Sequence, residues 1–160
     1  MKRLFSMLLC FFLCIAAAGC TERSASVSAN RTLPAVTASS SPVLAEDGSY
    51  DTKEEVAEYL IAYGHLPDNY MTKEEARKEG WEGGALSTVM EGRCIGGDVY
   101  GNYEGTLPEV DGRTYYECDI NTLGKEKRGA ERIIYSDPDL NIYYTADHYE
   151  TFEHLYGDDE

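Results

Sequence analysis

Residues 113–121 read RTYYECDIN, and the alternation in this stretch predicts a β-strand with two different faces. Side chains of a strand point alternately to opposite faces of a sheet. Cys118 and Ile120 suit a core, so we expect the alternate residues to face outward, with Glu117 in the middle of a sheet surface. The core set is Thr114, Tyr116, Cys118 and Ile120, and the outward set is Arg113, Tyr115, Glu117 and Asp119.

Four further stretches are typical of strands, because they are dense in tyrosine and isoleucine and are separated by Gly, Pro, Asp and Asn. In residues 131–136 the same alternation places Arg132 on the outward face, beside Glu117. The two side chains would then form a charged patch on the surface of the sheet. The four stretches are CIGGDVYGN (94–102), ERIIYS (131–136), NIYYTA (141–146) and HYETF (148–152).

Two helices are predicted before these strands. The first begins with a capping box of Asp51 and Glu54 and ends at Gly64, and the second begins with a box of Thr72 and Glu75. Helices followed by strands predict an α+β fold, in which the N-terminal helices pack on a C-terminal antiparallel β-sheet.

The N-terminus has the pattern of a secretion signal. A short basic start precedes an apolar run at residues 4–18, which is too short to span a bilayer comfortably. Residues 17–20 (AAGC) resemble a bacterial lipobox, which implies cleavage before Cys20 and a lipid on its sulfur. Ordinary secretion is the alternative, because an alanine stands where that motif prefers leucine. We expect residues 1–19 to be a signal peptide and the protein to be extracellular.

The next segment, residues 20–47, is rich in Ser, Ala, Thr and Pro and shows no apolar periodicity. This composition predicts a disordered linker that would hold a domain clear of a membrane. We expect a folded domain at residues 48–156 and a short acidic tail at 157–160.

Two cysteines, Cys94 and Cys118, fall within the predicted domain, and an oxidising compartment would allow them to pair. If Asp98 shares the face of Glu117, strand parity puts the two thiols on opposite faces. Only a β-bulge at residues 96–97 would bring the sulfurs together. The sequence therefore leaves open whether the two cysteines form a disulfide or remain free thiols.

Charge sets a limit on function. From residue 48 onward, ten lysines and arginines face twenty-six aspartates and glutamates, a net charge of −16. Such a balance argues against a non-specific nucleic-acid binder. Residues 121–135 still sum to about +2 (the cations are Lys125, Lys127, Arg128 and Arg132).

Several motifs together resemble barnase and its relatives, the small extracellular bacterial guanyl ribonucleases. The resemblance implies the microbial ribonuclease fold and an endoribonuclease that cleaves single-stranded RNA after guanine. The ribose 2′-hydroxyl would attack the phosphate, and the resulting 2′,3′-cyclic phosphate would then be hydrolysed. The motifs occur in the family's order from residue 51 to 152: YLIAYGHLPDNYMTKEEARKEGW, IGGDVYGNYEGTLP, GRTYYECDIN, RIIYS and TADHYETF.

Catalytic roles follow from the resemblance at matching positions. Glu117 would be the general base and His148 the general acid, while Lys73, Arg128 and Arg132 would neutralise the phosphate. The residue types suit the chemistry, since displacement at phosphorus needs a base for the 2′ proton and an acid for the leaving 5′ oxygen. Because of an insertion beside Arg128, this segment can be aligned with the family in two ways that differ by one residue. Lys127 could therefore take the role given to Arg128.

Substrate recognition is implied for Tyr149, which would line the cleft, and for the loop of Asn102, Tyr103 and Glu104, which would read guanine. Most bacterial relatives carry arginine where this chain has Tyr103. The fungal guanyl ribonucleases use Asn-Tyr-Glu in the equivalent loop, so Tyr103 is interpreted as a stacking platform for the base.

Three aspartates are interpreted as partners that hold the cations and the imidazole: Asp98, Asp119 and Asp147. Asp119 could instead pair with Arg113. No Cys/His cluster has metal-binding spacing, and we expect neither a metal nor a cofactor.

A rival hypothesis is a catalytically degenerate ribonuclease fold that acts as a surface-anchored acidic binding module, and it explains the negative charge better. The intact Glu117 and His148 favour the enzyme. The family also implies a barstar-like inhibitor for cells that make such an enzyme. We expect a monomer that touches the membrane only through a lipid anchor.

The acidic body predicts an unusual salt dependence. Long-range repulsion of RNA weakens as salt screens it, whereas local phosphate contacts persist. We therefore expect moderate salt to raise kcat/KM on RNA, as measured in a titration from the lowest ionic strength upward. A monotonic fall would contradict the prediction.

Overall fold

The computed structural model describes residues 44–158. The predicted signal peptide, the lipidation candidate Cys20, most of the predicted linker and the last two residues of the tail lie outside this range. Neither described helix has the length and apolar character needed to cross a membrane.

Helices come first and strands follow, in the predicted α+β arrangement. The helices are α1 (Lys53–Tyr63) and α2 (Lys73–Lys78), and a 3-10 turn spans Leu86–Thr88. The strands are β1 (Tyr70–Met71), β2 (Cys94–Tyr100), β3 (Thr114–Asp119), β4 (Arg132–Asp137), β5 (Ile142–Thr145) and β6 (Glu153–Tyr156).

The predicted start of α1 is wrong by one residue. Its N-cap is Thr52, whose hydroxyl accepts a hydrogen bond from the backbone N–H of Glu55. The Asp51 carboxylate accepts instead from the backbone N–H of Leu123 at 2.7 Å, a long-range contact that local sequence does not reveal. Gly64 ends the helix with φ 74°, as predicted, because glycine adopts the left-handed conformation without steric cost.

The strands form one six-stranded sheet in the order β1-β2-β3-β4-β5-β6. The pair β1–β2 is parallel and the other pairs are antiparallel. The short strand β1 was not predicted, and the predicted strand at 148–152 is wrong. Residues 146–152 form a loop, in which His148 (φ 61°) and Tyr149 (φ 75°) have positive φ angles that an extended strand excludes.

Helix α1 covers one face of the sheet, where Val56 and Leu60 belong to the main core cluster with Cys118, Ile133 and Ile142. The opposite face, predicted to be outward, is also covered. There a second cluster combines Leu107, Tyr115, Ile134 and Tyr143, with Tyr100, Tyr149 and Phe152 packed against it.

The predicted outward position of the charged residues is therefore wrong in one respect. They do share the face away from α1, but the loops over that face bury them. Glu117 is 7% exposed, Asp119 1% and Arg132 2%. Alternation gave the right face, whereas burial depends on loops from distant parts of the chain.

A β-bulge in β2 shifts the register between Gly96, which pairs with Cys118, and Asp98, which pairs with Glu117. The shift puts Cys94 in the main core cluster with Cys118, as expected of a bulge there. A Cβ on Gly96 would lie 2.6 Å from the Cys118 Cβ, so only glycine fits. The two cysteines are nevertheless free thiols, and burial raises the pKa of Cys94 to about 11.

Candidate active site

Glu117 lies at the middle of β3 with both carboxylate oxygens engaged. One accepts a hydrogen bond from the Lys73 ammonium, and the other accepts from the Tyr149 hydroxyl at 2.5 Å. Burial alone would raise the pKa of Glu117. The hydrogen bonds from Lys73 and Tyr149, with the charges of Lys73 and Arg132, outweigh burial, so the pKa is lowered. The carboxylate is therefore ionised at neutral pH.

Lys73 is aimed at this carboxylate by the way α2 begins. The predicted capping box between Thr72 and Glu75 is complete. Asp98 accepts hydrogen bonds from the Lys73 backbone N–H at 3.0 and 3.2 Å. We expected Asp98 to hold a cationic side chain or the imidazole. It binds the main chain of Lys73 instead. Strand β2 in this way anchors the start of the helix beside Glu117.

Asp119 holds two guanidinium groups on the same face. Arg128 donates to both carboxylate oxygens through Nε and Nη2, each at 2.6 Å. Arg132 Nε lies 3.0 Å from Asp119 Oδ1. Arg113, the alternative partner, pairs with Asp139 instead. Asp119 lies two residues after Glu117 on β3, so it places two cations near the Glu117 carboxylate.

The structure also distinguishes Arg128 from its neighbour Lys127. The Arg128 guanidinium is bound to Asp119 and lies 6.0 Å from the centroid of the Trp81 ring, a distance typical of cation–π contact. Lys127 is exposed. The sequence predicted Trp81 only as a core residue. Its ring also packs against the Arg128 guanidinium.

His148 lies on the loop between β5 and β6 and is exposed. Its backbone N–H donates to the Ala130 carbonyl at 3.3 Å, and its ring centroid is 4.7 Å from that of Tyr149. Because the Tyr149 hydroxyl is bonded to Glu117, the imidazole stands at the rim of the surface that contains the carboxylate.

Asp147 does not contact this imidazole, contrary to expectation. Its carboxylate accepts from the Thr145 hydroxyl at 2.8 Å and from Thr151 through the backbone N–H at 2.9 Å and the hydroxyl at 2.6 Å. The bonds from Thr151, and then that from Thr145, lower the pKa of Asp147 to about 2. Asp147 therefore closes the loop that carries His148.

The predicted recognition loop is closed by Asn102. Its side chain accepts from the Leu107 backbone N–H at 3.0 Å and donates to the Leu107 carbonyl at 2.9 Å. Asn102 is thus occupied in shaping the loop. Tyr103, 94% exposed, and the exposed Glu104 are the side chains that the loop presents to solvent.

Tyr100 joins this loop to the His148 loop, and sequence reasoning missed it. Its ring stacks on Tyr149 with centroids 5.3 Å apart and planes 25° apart. No local pattern marks Tyr100, because its partner lies 49 residues away in the chain. Within residues 44–158, no three His, Cys, Asp or Glu side chains are grouped as a metal site would require.

The buried ion cluster around Asp119 should be needed for stability. Asp119→Asn would remove the carboxylate that pairs with the buried Arg132, and losing one partner of such a pair costs about 3–5 kcal/mol. We expect the free energy of unfolding, measured in urea, to fall by that amount. As a control, Glu74→Gln removes an exposed partner of Lys78 and should leave the free energy of unfolding nearly unchanged. Equal effects of the two substitutions would contradict this account.

Comparison with known proteins identifies the family to which this chain belongs. The sequence signature of a family described as ribonuclease matches residues 53–156. A ribonuclease of Heyndrickxia coagulans is 49% identical over 107 residues, covering 66% of this chain and 96% of the relative. A ribonuclease of Bacillus intermedius shows the same identity over 107 residues, covering 65% of that relative.

More distant similarity extends to proteins named for their base specificity. The guanyl-specific ribonuclease Sa3 of Kitasatospora aureofaciens is 42% identical over 59 residues, which cover 37% of this chain and 42% of the relative. The predicted resemblance is confirmed: the chain belongs to the barnase-type microbial ribonuclease family.

Proposed function

We propose that this ribonuclease cleaves single-stranded RNA after guanine, first by 2′-hydroxyl transesterification to a 2′,3′-cyclic phosphate and then by hydrolysis. The observation that carries the proposal is the contact of the Glu117 carboxylate with the Lys73 ammonium, close to the two guanidinium groups that pair with Asp119. A base and a set of cations on one face are what an attack on a phosphodiester requires.

In the first step Glu117 takes the proton of the 2′-hydroxyl. The resulting oxygen attacks phosphorus, the bond to the 5′ oxygen breaks, and the His148 imidazolium gives that oxygen a proton. In the second step the roles reverse: His148 takes a proton from water, and the water oxygen attacks phosphorus. The bond from phosphorus to the 2′ oxygen breaks, and the protonated Glu117 gives that oxygen a proton.

Negative charge gathers on the phosphate oxygens in both steps. Lys73, Arg128 and Arg132 are the cations that would offset it. Because Asp119 holds both arginines in place before substrate arrives, little reorganisation is needed when the charge develops. Preorganised groups of this kind contribute roughly 3–4 kcal/mol each to lowering a barrier.

Guanine preference rests on the loop around Tyr103. The Glu104 carboxylate can accept hydrogen bonds from guanine N1–H and N2–H₂ together, which adenine cannot offer, and a bidentate pair gives about 1–3 kcal/mol of discrimination. The exposed Tyr103 ring offers a surface on which the base can stack. The relatives named guanyl-specific support this assignment.

The setting of the enzyme is part of the proposal. The sequence pattern of residues 1–20 supports export and a lipid anchor at Cys20, which would hold a monomeric domain at the outer face of a bacterial membrane. A barstar-like inhibitor is a partner by family resemblance alone. The degenerate binding module is not favoured, because the family match accompanies an intact carboxylate and imidazole.

A guanosine-containing dinucleotide, GpN, tests the proposed roles. We expect the wild-type domain to release guanosine 2′,3′-cyclic phosphate, and we expect Glu117→Gln and His148→Ala each to lower kcat/KM by about 10²- to 10⁴-fold. His65→Ala, a matched change at an exposed histidine, should leave the rate unchanged. The absence of a cyclic product from the wild type would refute the enzyme assignment.

The lowered pKa of Glu117 predicts the acidic limb of the pH–rate profile. A base must be ionised, so kcat/KM should stay high as pH falls and decline only below the ordinary glutamate value of 4.5. Lys73→Met removes a hydrogen bond and a charge that lower this pKa, while burial still raises it. We therefore expect the limb to move to higher pH.

The measurement is kcat/KM on GpN from about pH 3 to about pH 7. Lys78→Met is the matched control, because Lys78 bonds the exposed Glu74 and should leave the limb in place. A lower rate in Lys73→Met with an unmoved limb would show that Lys73 does not set the ionisation of Glu117.

A further inference from the structure

A groove crosses one end of the sheet, from β2 to β6. It consists of two cavities, of about 440 and 730 Å³, which lie side by side because Val110 and Arg113 line both. The first cavity reaches Val99 on β2, and the second reaches Tyr156 on β6. The two cavities therefore form one continuous groove.

This groove is separate from the catalytic part of the candidate active site. Glu117, Lys73 and His148 line neither cavity. The first cavity touches the recognition loop only at its base, through Tyr100 and Asn102. A ligand in the groove therefore leaves the charged face of the sheet open.

Strand register gives the length of the groove. Val99 pairs with Tyr116, and Tyr116 pairs with Tyr135. Tyr135 pairs with Ile142, which pairs with Tyr156. Four steps between neighbouring strands, each of about 4.8 Å, thus separate Val99 from Tyr156, a distance of about 19 Å. About six residues of extended chain span the same distance.

Exposed apolar side chains are concentrated in this groove. Val99 is 65% exposed, Val110 38% and Tyr156 44%. Among residues 44–158, six large apolar side chains are exposed, and these three line the groove while Tyr103 belongs to the recognition loop. Apolar side chains that are gathered in one concave surface are typical of a binding site.

The groove also carries negative charge that no neighbouring cation offsets. Arg113 is its only lysine or arginine, and the guanidinium is buried and pairs with Asp139. Glu109, Asp111 and Asp158 are exposed, and none of them forms an ion pair with a lysine or arginine of residues 44–158. The groove therefore favours a ligand with positive charge.

This charge disfavours two other occupants. A second copy of the chain would bring a net charge of −16 (from residue 48 onward) against an equal charge. A membrane surface with anionic lipids would be repelled in the same way. A basic segment of another protein is the occupant that matches both the apolar side chains and the carboxylates.

We propose that the groove binds an extended segment of another protein, about six residues long, that carries both aliphatic side chains and lysines or arginines. Side chains of an extended chain alternate between two sides. Those of one side pack on Val99, Val110 and Tyr156, while the long cationic side chains of the other side reach the exposed carboxylates. This binding activity is independent of RNA cleavage.

Three fluorescein-labelled hexapeptides test the groove, with binding to the wild-type chain measured by fluorescence anisotropy. One peptide alternates lysine with valine, one alternates lysine with serine, and one alternates glutamate with valine. We expect the lysine/valine peptide to bind about tenfold more tightly than the lysine/serine peptide, because burial of valine adds to the attraction between charges. The glutamate/valine peptide should not bind.

Substitutions of apolar residues locate the binding on the molecule. Val110→Ser/Tyr156→Ser should weaken binding of the lysine/valine peptide by about tenfold and leave that of the lysine/serine peptide unchanged. Ile61→Ser/Val89→Ser is the matched control, because these side chains are also exposed but line neither cavity. It should keep the wild-type affinity for all three peptides.

Substitutions of carboxylates test the charge in the same way. Glu109→Gln/Asp111→Asn should weaken binding of both lysine peptides by about threefold to tenfold. Glu58→Gln/Glu82→Gln removes the same charge from exposed positions outside the groove and should have a smaller effect. Each variant should keep the wild-type midpoint of urea unfolding. If the serine pair in the groove lowers that midpoint, the carboxylate pair still decides the outcome.

The proposal is overturned if the lysine/valine peptide does not bind, if all three peptides bind equally, or if groove and control variants have equal effects. Sedimentation of the wild type alone tests for a second copy, and binding to vesicles of phosphatidylcholine and phosphatidylglycerol tests for a membrane. A dimer or a vesicle complex that is lost in Val110→Ser/Tyr156→Ser would assign the groove to that occupant and would also overturn the proposal.

Discussion

The candidate site depends on a balance between burial and charge at Glu117. Burial within the sheet disfavours an ionised carboxylate, while the ammonium of Lys73, the phenol of Tyr149 and the nearby Arg132 favour it. The favourable contributions prevail. A buried group that remains charged can take a proton from a substrate hydroxyl, and the cations that keep it charged are the same ones that would meet the phosphate.

The cations in turn depend on Asp119, which is almost completely buried and holds both guanidinium groups of the site. Register explains their meeting, since Asp119 pairs directly with Arg132 across β3 and β4. The bulge in β2 serves the same face: it lets Asp98 pair with Glu117 while Cys94, four residues earlier, stays in the core. The sheet therefore carries a packed core on one side and a charged site on the other.

Two loops complete the site from outside the sheet. Asn102 closes one and Asp147 closes the other, each by binding the backbone of its own loop. Tyr100 and Tyr149 stack where the loops meet, and this contact covers the charged face. The acidic exterior beyond these loops contrasts with the paired cations of Lys73, Arg128 and Arg132 on the sheet face.

Short-range sequence patterns were sufficient to predict much of the fold and several residues of the candidate site. Strand alternation in 113–121 placed Glu117 and Asp119 on the face opposite Cys118, helix-capping signals located α2 at Thr72, and the order of motifs identified the family. These features depend on neighbours within a few residues, which the sequence displays directly.

The remaining features depend on contacts between residues far apart in the chain. Local sequence could not show that the Asp51 carboxylate would bind the Leu123 N–H instead of capping α1, or that 148–152 would be a loop. It also could not show that Asp98 would bind the Lys73 backbone, or that Asp147 would bind threonine hydroxyls and a backbone N–H instead of the imidazole. Nor could it show that the outward face would be buried. A carboxylate takes whichever donor the fold brings nearest, so its partner and its pKa were decided by the tertiary structure.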